Sequence, residues 1–138
     1  MNYIKNIKLT NNITLINKPF KKKEYYHFLK TSDLSLVVAE IKKNVFVVVS
    51  QKRIPVNKIN YEFPSGIIDK GENSISAACR EFYEETGYKI LVRPKKLFTI
   101  NCEPGRLTTK INCYYSNKII KKKDLRKVLK FIYYLEKK

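Results

Sequence analysis

A chain of 138 residues, 43% of them hydrophobic, suffices for one compact domain and not comfortably for two. Cys79, Cys102 and Cys113 show neither the close pairing of a zinc site nor the even count of a disulfide framework. Lys5, Asn2 and Asn6 interrupt the start where a signal peptide requires an apolar run, and no stretch reaches transmembrane length, so the expectation is a soluble, cytoplasmic protein with no membrane span. The formal charge of +17 points toward polyanionic partners, and nucleic acid binding through a basic surface is one expectation it raises.

In chain order, Asn11-Asn12 between Ile7–Leu9 and Ile13–Ile16 predicts a hairpin turn within a β-rich N-terminal extension, residues 1–30. Leu34–Ala39 and Val45–Val49 have the length and apolar content of buried strands, separated by Lys42-Lys43-Asn44. From Ile54 to Asn60 the chain reads as a loop, with Pro55 and two asparagines, and a second loop is expected at Asp69-Lys70-Gly71. A helix is predicted to begin near Ser74, continue through Ala77, Ala78, Phe82 and Glu85, and end at Gly87. Strand-like segments follow at Lys89–Val92, Leu97–Asn101 and Leu107–Tyr115. Leu125, Val128, Leu129, Ile132 and Leu135 fall on one face of a helix predicted over Lys121–Leu135, within a basic C-terminal segment, 118–138, of nine Lys/Arg and two acids.

The charge is unevenly placed. Between Glu62 and Glu85 lie six of the twelve acids (Glu62, Asp69, Glu72, Glu81, Glu84, Glu85) against Lys70 and Arg80, so this segment carries −4 while the remainder carries +21. Such an island is either a solvated acidic helix face or a site whose chemistry requires negative charge. Helical spacing places Glu81, Glu84 and Glu85 on one side, where they repel one another unless a hard cation such as Mg²⁺ or Mn²⁺ lies between them. Arg80 is spaced to pair with Glu84 one turn on, and Glu72 stands where a carboxylate can accept N–H bonds at the helix start or reach a bound water.

Gly66, five residues, Glu72, seven residues, then Arg80-Glu81-Phe82-Tyr83-Glu84-Glu85-Thr86-Gly87-Tyr88 resembles the complete Nudix box. Seven required residue types, each at roughly one in twenty, give a chance match on the order of one in a billion per starting position, which sets aside a fortuitous helix. Phe82 and Tyr88 occupy positions that are usually aliphatic. The resemblance implies the α/β class: an α/β/α sandwich around a mixed sheet, in a single domain whose core spans residues 34–115. It further implies metal ligands at the Ser65 carbonyl, Glu81 and Glu85, with Glu84 as a further ligand or water-orienting group. Glu84, Glu85 and Arg80 would then be the catalytic residues, Glu72 and Gly87 would support the loop and helix, and Mg²⁺ or Mn²⁺ would be the cofactor.

Two flanking stretches resemble the ADP-ribose and ADP-sugar pyrophosphatase branch: Gln51-Lys52-Arg53 with Glu62-Phe63-Pro64-Ser65-Gly66, and Pro104-Gly105, sixteen residues beyond Tyr88 at Pro104. Arg53, Glu62, Gly66, Pro104 and Gly105 are accordingly candidate substrate contacts, Arg53 through a bidentate fork on phosphate and Pro104-Gly105 as a wall for the terminal sugar. That branch commonly forms homodimers and takes a further glutamate from a late loop. After the box the acids are Glu103, Asp124 and Glu136, none of them its evident equivalent. His27, beside Tyr25 and Tyr26, is placed to stack on or bond to a base, but with no catalytic partner readable the stronger reading is a structural or surface role. Three functions are consistent with these residues: hydrolysis of ADP-ribose or an ADP-sugar to AMP and a sugar phosphate, hydrolysis of capped RNA or dinucleoside polyphosphates, and a non-catalytic RNA- or partner-binding module.

Overall fold

Asn11-Asn12 does turn the chain. In the computed structural model, which describes residues 5–21, 24–121 and 131–136, Ile7–Lys8 (β1) pairs antiparallel with Ile13–Lys21 (β2), Ile7 opposite Leu15. β2 pairs in turn with Glu24–Thr31 (β3) to complete a three-stranded sheet. Chain contacts divide the molecule into two units, residues 1–33 with 99–111 and residues 34–98 with 112–138. In the first unit, residues 99–111 return to β3: the Leu29 N–H donates to the Arg106 carbonyl at 2.8 Å and the Thr108 N–H to the Leu29 carbonyl at 3.1 Å. The Nδ1 of exposed His27 lies 2.6 Å from the Oδ1 of buried Asn17, whose amide donates to the Lys5 carbonyl at 2.8 Å.

The second unit is built on Leu34–Lys42 (β4) and Val45–Arg53 (β5), joined by the expected turn. Asn44 takes the left-handed backbone there, at φ 62°, which asparagine tolerates better than most residues, and its N–H donates to Glu40 Oε1 at 2.7 Å. Every second residue of β4 from Ser35 to Ala39 is buried, the period-two signature of a strand with one covered face. The segment read as a loop is shorter than expected. Ile54–Val56 forms a single 3-10 turn, Asn57 reverses the chain at φ 49°, and Lys58–Glu62 (β6) returns antiparallel along β5 with Glu62 opposite Val49. Pro55 and Asn57 punctuate only the turn, while Ile59 and Tyr61 supply strand-forming side chains.

Ser65–Ile67 (β7) pairs with the start of β4, Gly66 opposite Ser35, and the helix follows at Ser74–Thr86 (α1). Asn73 caps it by accepting from the Ser76 N–H at 2.9 Å, and Gly87 closes it at φ 70° with its N–H donating to the Tyr83 carbonyl at 2.8 Å. Ala78 and Phe82, one turn apart, turn inward and pack with Val37, Ala39, Val47, Tyr88 and Tyr114 into the core. The buried Ser35 hydroxyl donates to the Ser74 carbonyl at 2.6 Å, and the Ser74 and Tyr114 hydroxyls hydrogen-bond at 2.6 Å, which ties the first turn of α1 to the sheet.

Tyr88–Ile90 (β8), Lys95–Asn101 (β9), Lys110–Ser116 (β10), Ile119–Lys121 (β11) and Phe131–Glu136 (β12) complete the strands. The main sheet runs β12-β5-β4-β10-β9, with β6 on β5 and β7 on β4, and β11 pairs with β8. The class is α/β, and among the described residues one α-helix packs against a mixed sheet. The helix expected over Lys121–Leu135, within the basic segment 118–138, is not formed in the described part of that segment. Ile119–Lys121 is a strand, and Phe131–Glu136 lies antiparallel along β5 with Ile132 opposite Val49; residues 122–130, with Asp124, lie outside the described residues. The physical reason is in the run Phe131-Ile132-Tyr133-Tyr134-Leu135, whose aromatic and β-branched side chains favour a strand where β5 offers a ladder. Among the described residues no helix is long and apolar enough to cross a membrane.

Candidate active site

Two carboxylates of the acidic island, Glu81 and Glu85, meet one short stretch of backbone. Because β7 is pinned to β4 and α1 is packed over the sheet through Ala78 and Phe82, the helix face bearing Glu81 and Glu85 meets Ser65 and Gly66. Glu85 Oε2 accepts from the Ser65 N–H at 3.2 Å. The Glu81 carboxylate lies so close over Gly66 that a Cβ built there would stand 2.0 Å from its Cδ, so any larger residue at this position has to displace that carboxylate.

Arg80 is the hub of the remaining acids. It grips Glu72 with two donors, Nε to Oε1 at 3.1 Å and Nη2 to Oε2 at 2.9 Å, and Nη1 donates to Glu81 Oε1 at 2.7 Å. Nη2 also reaches the Ile67 carbonyl at 3.0 Å and Asp69 at 3.5 Å. The Glu84 pairing inferred from the one-turn spacing is present but is the longer contact, 3.4 Å, because the fork geometry of the guanidinium is spent on Glu72 and Glu81. Hydrogen bonds to Glu72 first, then Glu81, push the Arg80 pKa upward, and Arg80 in turn holds Glu72 below the usual carboxylate range. Glu72 therefore braces the loop: it accepts from Arg80 and from the Asp69 N–H at 3.3 Å, while the helix start is left to Asn73. The cap could have been read from an Asn directly before the helix; the grip on Glu72, eight residues away, could not.

At the end of β5, the backbone of Arg53 stands opposite Lys58, and its side chain reaches along the β5–β6 ladder to Glu62. Both prongs of the Arg53 fork are taken by Glu62, Nε to Oε1 at 2.9 Å and Nη2 to Oε2 at 2.5 Å, and Gln51 adds a donor at 2.8 Å. These contacts hold the Glu62 carboxyl down at about 2 and raise Arg53. The bidentate phosphate contact expected of Arg53 is thus occupied by a carboxylate within the chain. Pro104 and Gly105 belong to the other unit, where both are exposed and the Gly105 carbonyl accepts from the Tyr26 hydroxyl. Of the late acids, Glu103 lies in the turn beside them at φ 45°, and Glu136 is in β12.

Ser65, Gly66, Glu72, Arg80, Glu81, Glu84 and Glu85 are therefore neighbours, with Gly87 ending the helix that carries the last four. Among the described residues no three or more His, Cys, Asp or Glu side chains are drawn together as an ion cage. The two carboxylates set against the Ser65-Gly66 backbone are nonetheless an oxygen-only donor set, which suits a hard divalent cation.

A sequence profile described as NUDIX domain matches residues 30–130. The chain belongs to the Nudix family. Nudix hydrolases generally use divalent metal ions. A Caenorhabditis elegans protein whose name places it among nudix hydrolases is 40% identical over 56% of this chain and 35% of its own length. The ADP-sugar pyrophosphatase of Mus musculus is 38% identical over 44% of this chain and 29% of its own. For the ADP-ribose pyrophosphatase of Saccharomyces cerevisiae the identity is 41%, over 44% of this chain and 26% of that protein. The chain thus spans about a third or less of the length of these relatives. A crystal structure titled ADP compounds hydrolase shares the Nudix fold, with a TM-score of 0.73 at 15% identity over 96% of this chain and 75% of that one.

Proposed function

We propose that this Nudix chain is a pyrophosphatase that hydrolyses ADP-ribose or an ADP-sugar to AMP and a sugar phosphate. The observation that carries the proposal is the placement of the Glu81 and Glu85 carboxylates on the Ser65-Gly66 backbone, braced by Arg80 and Glu72. The substrate class is taken from the named activities of the mouse and yeast relatives, and from Gln51-Lys52-Arg53, Glu62-Phe63-Pro64-Ser65-Gly66 and Pro104-Gly105.

In this reading Glu81, Glu85 and the Ser65 carbonyl hold Mg²⁺ or Mn²⁺, with Glu84 beside them. An ion so held would neutralise the diphosphate and acidify water at the site. The protein's own part is positional. Arg80 fixes Glu81 and, through Glu72, the loop that follows β7; Gly66 lets the Glu81 carboxylate approach the backbone. Glu84, whose side chain is 55% exposed, is the carboxylate of the group open to an incoming water and takes its proton as the oxygen attacks phosphorus. The anhydride P–O bond breaks, one phosphate leaves on AMP and the other on the sugar, and no covalent enzyme intermediate forms.

Chromatography of products from ADP-ribose, ADP-glucose, diadenosine polyphosphates, nucleoside triphosphates and capped RNA, with Mg²⁺ or Mn²⁺, tests the proposal. AMP from ADP-ribose or ADP-glucose is the expected result. Release from the cap or from dinucleoside polyphosphates alone would replace the substrate, and silence across the panel from folded protein would remove the activity.

A further inference from the structure

Beside the Pro104-Gly105 turn, the first unit carries a row of aromatic side chains to which the proposed hydrolysis gives no part. Cross-strand register puts Lys18 opposite Tyr26, and Phe28 and Lys30 follow Tyr26 at every second residue, so these four side chains share one face of the β2–β3 ladder. The register shifts between Pro19 and Lys21, and Phe20, within that irregularity, comes to 5.8 Å from Tyr26 between ring centroids. Tyr26 and Phe28 are 6.3 Å apart. Three aromatic rings thus stand in a row, and the two most open to solvent, Phe20 and Tyr26, are 62% and 42% accessible. The rings line a cavity of about 370 Å³ with Lys18, Pro19, Pro104, Leu107 and Thr108. The Tyr26 hydroxyl, bonded to the Gly105 carbonyl, fixes its ring.

A chain gains nothing in folding from exposing two aromatic rings, and their surroundings indicate what covers them. The stretches that make up this unit, residues 1–33 and 99–111, contain nine Lys/Arg against Glu24, Asp33 and Glu103. Of these acids, Asp33 accepts from the Lys110 N–H and Glu103 pairs with Arg106. Lys18 and Lys30 flank the rings on their own face, and Lys21 Nζ lies 5.4 Å from the Phe20 centroid. Rings spaced across the β2–β3 ladder, Phe20 on one strand and Tyr26 and Phe28 on the other, and interleaved with cations, suit an alternation of unpaired bases and phosphates. A duplex, whose bases are already stacked on one another, offers these rings no face.

We propose that the β2–β3 face carrying Phe20, Tyr26 and Phe28 binds single-stranded nucleic acid, the rings stacking on unpaired bases while Lys18, Lys21 and Lys30 meet the phosphates. This surface is separate from the acidic island in sequence and in chemistry, and its occupancy is read without turnover.

The chain contains no tryptophan, so Phe20→Trp installs a single reporter in the row. Titration of this variant with single-stranded oligouridylate of about ten nucleotides, a length within the site size of single-strand binders, is expected to quench that fluorescence. Phe20→Ala, at an exposed position, is expected to weaken binding of the same labelled oligonucleotide roughly tenfold, and Lys18→Gln to lower the slope of log affinity against log salt by about 0.7. Unquenched indole fluorescence in Phe20→Trp despite oligonucleotide binding, or equal affinity of Phe20→Ala, would show diffuse attraction to the basic chain and overturn the proposal. Quenching by AMP but not by the oligonucleotide would make the face a mononucleotide site, and loss of a dimer on Phe20→Ala would make it an interface between copies; either result also overturns it.

Discussion

Gly66 and Glu81 set the tightest constraint in the site, since the space a methyl group would take at residue 66 is filled by a carboxylate. Gly66→Ala must displace Glu81, and a catalytic group shifted by about 1 Å costs on the order of 100-fold in rate. The expected outcome is a fall in kcat with helical circular dichroism preserved; an unchanged kcat would show that the Glu81 position does not matter to the reaction. Glu62 offers a second prediction at this scale. Arg53 and Gln51 hold its carboxyl at about 2 against an ordinary 4.5. A carboxyl depressed in the folded state lends stability that is complete above the unfolded value and is lost as pH falls through 4.5 toward 2. Urea midpoints measured across that window should drop more steeply for the native chain than for Glu62→Gln; parallel slopes would mean that the Arg53 pairing does not persist in solution.

At the scale of elements, α1 is the part on which the site depends, and Asn73 starts it. Replacing the side chain that receives the Ser76 N–H costs about 1 kcal/mol, so Asn73→Ala should lower Tm by roughly 3–6 °C. A calorimetric scan with no shift would place the helix start elsewhere. This helix was legible because two signals coincide over it, apolar positions one turn apart at Ala78 and Phe82 and Gly87 after it, while its cap, Asn73, came from the structure. The hairpin at Asn11-Asn12 and the β4–β5 pair were legible for the same reason. Where a single signal stood alone it misled. The stripe from Leu125 to Leu135 has helical spacing, but its second half is also a run of strand formers, and β5 takes Phe131–Glu136 as a strand; its first half lies outside the described residues. Pro55 and Asn57 marked a turn and hid β6 behind it. The contacts of Arg80 with Glu72 and of Arg53 with Glu62 join residues eight and nine apart, and no local pattern specifies which carboxylate a guanidinium selects.

For the whole molecule, the charge distribution separates two chemistries. A box carrying −4 sits in a chain that is otherwise +21, so divalent cations are drawn to one region and polyanions to the rest. Nudix membership rests on a match over residues 30–130, while the relatives that name a substrate are matched over less than a third of their length. The decisive measurement is AMP release from ADP-ribose and ADP-glucose in Mg²⁺ or Mn²⁺ by the native chain and by Glu85→Gln, which removes one charge while keeping the size of the side chain set against Ser65. AMP formation that falls by at least two orders of magnitude in the variant, and disappears on chelation of the metal, is the predicted result. Full activity in Glu85→Gln, or in the presence of chelator, would contradict the assignment of the Glu81–Glu85 face as the metal-dependent centre.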